Sequence, residues 1–169
     1  KRQPLTPASS TKVLTLAAAT LALDEEGTIT THVVRGEKDG EVVIKAAGDV
    51  WLTDERLDDL AEQIKAKAVD VKRVSIDTSV WSGPDQAPGW DDDNIDGGYV
   101  APIQPAMLYG GRLGDKTGDV PRSHEPALNV ARALAGRLGT DKADMATAPA
   151  GAESLASTCL LYTSPSPRD

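Results

Sequence analysis

The sequence predicts a mixed α+β or α/β module. Three observations predict it: two adjoining strand-like runs, two segments with helical apolar periodicity, and a short strand-like run between those helices. The 169 residues are 40% apolar, enough to bury a core of one domain or somewhat more. Residue 1 is Lys, so the chain is expected to begin inside a longer protein.

Near the start, Ser9 or Ser10 is placed to cap a helix, with Pro7 just upstream. The run 13–23 that follows is apolar on nearly every face, so its helix is expected to be buried on all sides. Asp24-Glu25-Glu26-Gly27 should end it, with Gly27 at the C′ position. Strands are expected at 29–34 and 41–46, joined as a hairpin by the polar turn Arg35-Gly36-Glu37-Lys38-Asp39-Gly40. A second helix opens at Thr53. Leu57, Leu60, Ala61, Ile64 and Ala68 line one face, and Asp54 and Glu55 suit its first turn. Residues 71–80 read as an alternating strand, and 81–113 as a loop-rich stretch. His124-Glu125-Pro126 opens the last helix, with Pro126 near N1 and Gly139 as its stop. Leu128, Ala131, Leu134, Ala135 and Leu138 should form its core face.

Composition excludes several classes. A net charge of −8 argues against nucleic-acid binding, which needs a basic footprint. The run 13–23 is far short of the roughly 20 residues that a bilayer span requires. With Cys159 as the single cysteine there is no disulfide framework and no cysteine-based metal site. The last eleven residues, from Cys159, leave the Ala/Gly/Asp-rich composition before them. They match the translation of a transposase-type sequencing adapter, so 159–169 is expected to be an artefact, with the parent gene continuing differently.

Ser9-Ser10-Thr11-Lys12 is an S-x-x-K pattern. A serine in the first turn of a helix holds its hydroxyl where the dipole favours developing negative charge. A lysine three residues on lies one turn along the same face, within reach of that hydroxyl. A neutral amine there takes the hydroxyl proton, which makes a Ser–Lys dyad for acyl transfer. Alone, the pattern also fits any capped helix with a lysine in its first turn. Lys1-Arg2 and the apolar run also have the outline of a secretion signal, with Thr20-Leu21-Ala22 as its cleavage site. The Pro-rich start and the missing Met count against that.

Further residues carry a resemblance. Pro7-Ala8-Ser9-Ser10-Thr11-Lys12 and its apolar helix resemble the active-site opening of penicillin-binding proteins. Ala47-Gly48-Asp49-Val50-Trp51-Leu52 is similar to a G-G-D-P-x-L motif with the proline replaced. Asp77-Thr78-Ser79-Val80-Trp81-Ser82-Gly83-Pro84 is similar to D-x-S-x-F-x-G-P. Ala87-Pro88-Gly89-Trp90, Tyr99-Val100-Ala101-Pro102-Ile103, His124-Glu125-Pro126-Ala127 and Ala148-Pro149-Ala150-Gly151-Ala152 follow in order. Together they resemble the class C (PBP4-type) penicillin-binding proteins, the D-alanyl-D-alanine carboxypeptidases and endopeptidases of peptidase family S13.

The resemblance implies part of a transpeptidase/β-lactamase-like domain, with the catalytic helix in residues 1–30, and an inserted α/β domain filling most of 31–158. It implies Ser9 as nucleophile, Lys12 as its base, and Trp90, Asp93 and Tyr99 as contacts to the peptide stem's diamino acid. Asn94 replaces Asp93 if the loop is shifted by one. The implied partners are peptidoglycan stem peptides and β-lactams, with no cofactor and no metal, in a periplasmic or extracellular setting after loss of a signal peptide. Such enzymes also use an S-x-N and a K-T-G strand. No S-x-N occurs, and Lys116-Thr117-Gly118 is read as a decoy in a polar loop. The chain by itself is therefore expected to be inactive.

Rival readings are a β-lactamase-related hydrolase and a non-catalytic wall- or calcium-binding module. The second rests on Asp92-Asp93-Asn94-Ile95-Asp96-Gly97, which matches the first half of an EF-hand loop. Its twelfth position is Ile103, where a bidentate Glu is needed. Neither His32 nor His124 adjoins a nucleophile elbow, so a Ser-His-Asp triad is not expected.

Overall fold

The computed structural model describes residues 5–23 and 27–161. The chain divides into two compact units, Lys1–Thr28 with Leu161–Asp169, and Ile29–Leu160. The acidic helix stop at 24–26 lies outside the described residues, as do Lys1-Arg2 and 162–169 of the tail.

In the first unit a single 3-10 turn, Ala8–Thr11, runs into helix α1, Lys12–Ala22. None of the α1 residues is buried, and Leu14, Leu16 and Leu21 are 71%, 66% and 88% exposed. This corrects the expectation of a helix buried all round. An apolar pattern states which faces want cover, not what supplies it.

The second unit is built on a five-stranded sheet in the order β6 (Ala143–Met145), β4 (Arg73–Asp77), β2 (Glu41–Lys45), β1 (Thr28–Arg35), β7 (Ser154–Leu161). Strands β1 (Thr28–Arg35) and β2 (Glu41–Lys45) form the expected hairpin, with Val33 opposite Ile44 and Arg35 opposite Val42. Gly36 is required in the turn. A Cβ there would come within 2.4 Å of the Glu41 side chain, which folds back across it. Strand β4 (Arg73–Asp77) runs parallel to β2, and β6 (Ala143–Met145) parallel to β4. Strand β7 (Ser154–Leu161) closes the far edge, and Arg35 N donates to Glu153 O at 3.1 Å where it begins. The element thus extends through Cys159 and Leu160.

Strand β4 is not an alternating strand. Val74, Ser75, Ile76 and Asp77 are all buried, as in a central parallel strand with little solvent on either face. Ser75 fits there because its hydroxyl donates to Glu41 Oε1 at 2.8 Å. Val33, Val42, Ile44, Val74 and Ile76 form one face of the core.

Helix α2 (Asp54–Ala66) joins β2 to β4. Thr53 caps it, its hydroxyl accepting from Arg56 N at 3.4 Å. Leu57, Leu60, Ala61 and Ile64 are buried as expected, each of the larger ones contributing roughly 1.5–3 kcal/mol. Ala68 is not part of that face. It follows the helix end, is exposed, and has a φ of 54°. Helix α4 (Pro126–Arg137) packs on α2, β4 and β6, with Pro126 in its first turn. Its buried stripe is Ala127, Val130, Ala131, Leu134 and Ala135, whereas Leu128 and Leu138 are only half-buried. The sequence reading favoured leucines, but the stripe follows the i, i+3, i+4 geometry and takes small residues where α4 lies close to the sheet.

Two short elements sit inside the stretch read as loop, and one of them pairs with a short strand that precedes α2. Strands β3 (Asp49–Leu52) and β5 (Ala106–Leu108) pair in parallel as a second sheet, and Asp93–Asp96 forms the one-turn helix α3.

Candidate functional site

The S-x-x-K segment is the 3-10 turn and the start of α1. Pro7 has right-handed angles (φ −71°, ψ −17°) and not the extended ones of a capping residue, and no side chain caps the turn. The Ser10 hydroxyl donates back to the Pro7 carbonyl, and Thr11 Oγ1 donates to Ala8 O at 2.9 Å. Neither Ser9 nor Ser10 is therefore an N-cap; the hydroxyls bond backward along the turn. Ser9 Oγ has no hydrogen bond among the described residues. Lys12 N donates to Ser9 O, which sets the two residues one turn apart, and both are exposed. Ala8, just before the serine, holds a φ of 46°, a left-handed conformation that costs a non-glycine residue about 1–2 kcal/mol.

Trp90, Asp93 and Tyr99 lie in the second unit, on one loop. Trp90 N donates to Ala87 O at 3.1 Å, and the residue is 53% exposed. Asp91 starts α3: its Oδ1 accepts from Asp93 N at 3.2 Å, and its carbonyl accepts from Asn94 Nδ2 at 3.1 Å. The Asn94 side chain is thus spent on the loop, while the Asp93 carboxylate is exposed and has no partner among the described residues. Asn94 O accepts from Tyr99 N at 3.0 Å and from Val100 N at 3.3 Å, which turns the chain and leaves Tyr99 70% exposed. The segment closes as a helical turn and not as a calcium loop. Among the described residues no cluster of three or more His, Cys, Asp or Glu could hold a metal ion.

A buried arginine holds this loop in place. Arg122 is 7% exposed; its Nε donates to Gly98 O at 3.0 Å and its backbone N to Ile95 O at 2.9 Å. Burial, together with the nearby Arg112 charge, pushes its pKa down. Gly98 must be glycine, because φ is 81° and a Cβ would lie 2.3 Å from Val120 O. Beside it, His124 Nε2 pairs with Asp96 Oδ1 at 2.9 Å, and that hydrogen bond raises the histidine pKa.

Lys116-Thr117-Gly118 is a loop and not a strand. Lys116 Nζ lies 2.9 Å from Asp54 Oδ2 and 4.7 Å from the Tyr109 ring centre, and these two partners raise its pKa. Asp54 in turn sits at about 2, held down by Lys116 first and then by Arg137 and Tyr109. The lysine clips a loop to the start of α2.

The other motifs meet in space. Buried Asp77 accepts from Ser79 N at 2.9 Å and from Ala148 N at 2.7 Å, which ties the Asp77–Pro84 segment to the Ala148–Ala152 segment. Burial works to raise its pKa, but these N–H bonds outweigh it and the carboxyl sits below its usual value. Asp49, fully buried, pairs with Arg56 at 2.6 Å, and Arg56 Nε donates to Thr158 Oγ1 at 3.0 Å. Arg122 and Arg56 carried no local signal in the sequence, and Asp49 stood out only as part of the Ala47–Leu52 motif.

The D-Ala-D-Ala carboxypeptidase 3 (S13) family matches residues 1–156, and the chain belongs to that family. It is 43% identical over 163 residues to Carboxypeptidase DacB of Mycolicibacterium smegmatis, covering 89% of this chain and 35% of that protein. It is 44% identical over 169 residues to Carboxypeptidase Rv3627c of Mycobacterium tuberculosis, covering 90% of this chain and 37% of that protein. The chain therefore spans about a third of the length of these curated relatives. A crystal structure of penicillin binding protein 4 (dacB) from Haemophilus influenzae shares the fold. The TM-score is 0.67 at 19% identity, over 92% of this chain and 51% of that one.

Proposed function

We propose that this chain is part of a serine D-alanyl-D-alanine carboxypeptidase/endopeptidase that acts on peptidoglycan through an acyl-enzyme. The observation that carries the reading is the family match over residues 1–156, which includes Ser9-x-x-Lys12. Ser9 Oγ attacks the carbonyl of the penultimate D-Ala while the Lys12 amine takes its proton. The terminal D-Ala leaves as the free amine, and water then hydrolyses the ester and regenerates Ser9. Ser9 suits the role: it is the hydroxyl on its turn not bonded to a backbone carbonyl, and it lies near the helix start.

Trp90, Asp93 and Tyr99 are proposed to receive the stem's diamino acid, the Asp93 carboxylate facing its ammonium group. In this reading residues 1–30 belong to the transpeptidase-like domain and most of 31–158 to an insertion, with 159–169 an adapter-derived artefact. The protein works in the periplasm or outside the cell and is acylated by β-lactams. The S-x-N and K-T-G partners are then supplied by sequence beyond this chain.

The test is fluorescent-penicillin labelling and D-Ala release in the full-length protein. Ser9→Ala should abolish both, whereas Ser10→Ala should cost far less, since Ser10 is out of step with Lys12. Labelling that survives Ser9→Ala and vanishes with Ser10→Ala contradicts the assignment.

A further inference from the structure

The Asp77–Pro84 segment is given no role in the proposed acyl transfer, yet its first residues are tied down. Asp77 is bonded to Ser79 N and Ala148 N, and Trp81 N donates to Thr78 O at 3.3 Å. One edge of the Trp81 indole lies against Gly48, where a Cβ would stand 3.3 Å from Cζ2. Trp81 rests on Gly48 by that edge and stays 42% exposed. It walls a cavity of about 300 Å³ with Met145 and Ile103, both half-exposed. That volume is at the lower end of small-molecule sites, roughly 300–1,000 Å³.

The same cavity holds a fixed polar pair. Gln104 Nε2 donates to Asp85 Oδ2 at 2.6 Å, and Gln104 Oε1 accepts from Ala127 N in the first turn of α4 at 2.9 Å. Asp85 Oδ1 has no partner among the described residues. A flat exposed indole beside an anchored carboxylate–amide pair suits a pyranose. The sugar's C–H face packs on the ring, and its hydroxyl and acetamido rim bonds to the polar pair. A purely apolar ligand would desolvate Asp85 without replacing its hydrogen bonds, and an anionic ligand would meet its charge.

The cavity also shares lining residues with hollows at the Trp90 loop. Asp85 and Ile103 line a neighbouring hollow of about 260 Å³ together with Trp90, and Trp90 and Val100 line a third of about 200 Å³. We propose that the Trp81 cavity is a saccharide subsite, taking an N-acetylhexosamine of a glycan strand whose attached peptide lies toward Trp90. The choice of sugar rests on the peptidoglycan reading above; the groove geometry does not.

The experiment is NMR titration of the isotope-labelled chain with N-acetylglucosamine tetramer, followed on the indole N–H signals. The Trp81 signal should shift and saturate while that of Trp51 stays put. Trp81→Ala should weaken binding by about tenfold or more, Trp81→Phe by less, and Asp85→Asn, which keeps the shape, severalfold. No Trp81 shift up to about 10 mM sugar overturns the proposal, as does equal binding by the Ala variant. A free stem tetrapeptide that shifts Trp81 where the sugar does not would make the cavity a peptide site and also overturn it. Penicillin labelling of Ser9 uses a sugar-free reagent, so failure of the catalytic reading shows separately from failure here.

Discussion

The two units of this chain invert the usual relation between core and site. The Ile29–Leu160 unit has a complete core: Ile44, Ile76, Leu57 and Leu134 are each 0–1% exposed, and its sheet is covered by α2 and α4. The other unit carries the S-x-x-K motif on a turn and helix in which no residue is buried. A binding surface can ride on a self-sufficient core. A nucleophile that needs donors from several elements cannot be completed by one exposed helix. In the proposed function Ser9 and Lys12, one turn apart and exposed, are only part of the site, and the rest of the chemistry must be brought to them.

Stability measurements sharpen this contrast. In urea unfolding of the chain, Ile44→Ala or Leu57→Ala should cost about 2–5 kcal/mol. Leu16→Ala in α1 should stay within about 0.5 kcal/mol, as expected where nothing is buried. Equal losses in both units would erase the distinction between them. Next in size is Asp77→Ala, which strands the Ser79 and Ala148 amides and should cost about 1–3 kcal/mol by the same assay.

Smaller effects appear in pH dependence. The Asp54 pKa falls from 3.8 to about 2 on folding, so its contribution is present above 3.8 and disappears as pH drops toward 2. Asp54→Asn should flatten the acid limb of the stability curve across that window. His124 has the opposite sign. Its pKa is raised above 6.5, so what the pair with Asp96 adds is present below 6.5 and is lost as pH rises through the folded value. Both groups are exposed, so the effect is the smallest of the set. An NMR titration should show His124 above 6.5 in the folded chain and nearer to it in Asp96→Asn.

Elements whose signal is local were legible in the sequence. The β1–β2 hairpin, α2 after Thr53 and α4 after Pro126 all follow from periodicity, turn residues and caps. The short strands β3, β5 and β6 were not legible, because three or four residues carry too little pattern and exist through partners far along the chain. The same holds at the candidate site. The Ser9–Lys12 spacing is visible locally, and Trp90, Asp93 and Tyr99 came from motif order. Arg122 bridging Gly98, and Asp77 reaching Ala148, are long-range bonds that no local pattern announces. The expected all-round burial of α1 failed for a related reason: the sequence of a helix describes its own faces and not its neighbours.

The central claim is that Ser9 is the nucleophile, and peptide mapping tests it most directly. The full-length protein is incubated with a penicillin, digested, and analysed by mass spectrometry. The account predicts a penicilloyl mass on the peptide bearing Ser9, with fragment ions placing it on Ser9 and no adduct in Ser9→Ala. An adduct on any other residue, or none under conditions where the protein releases D-Ala, would contradict it.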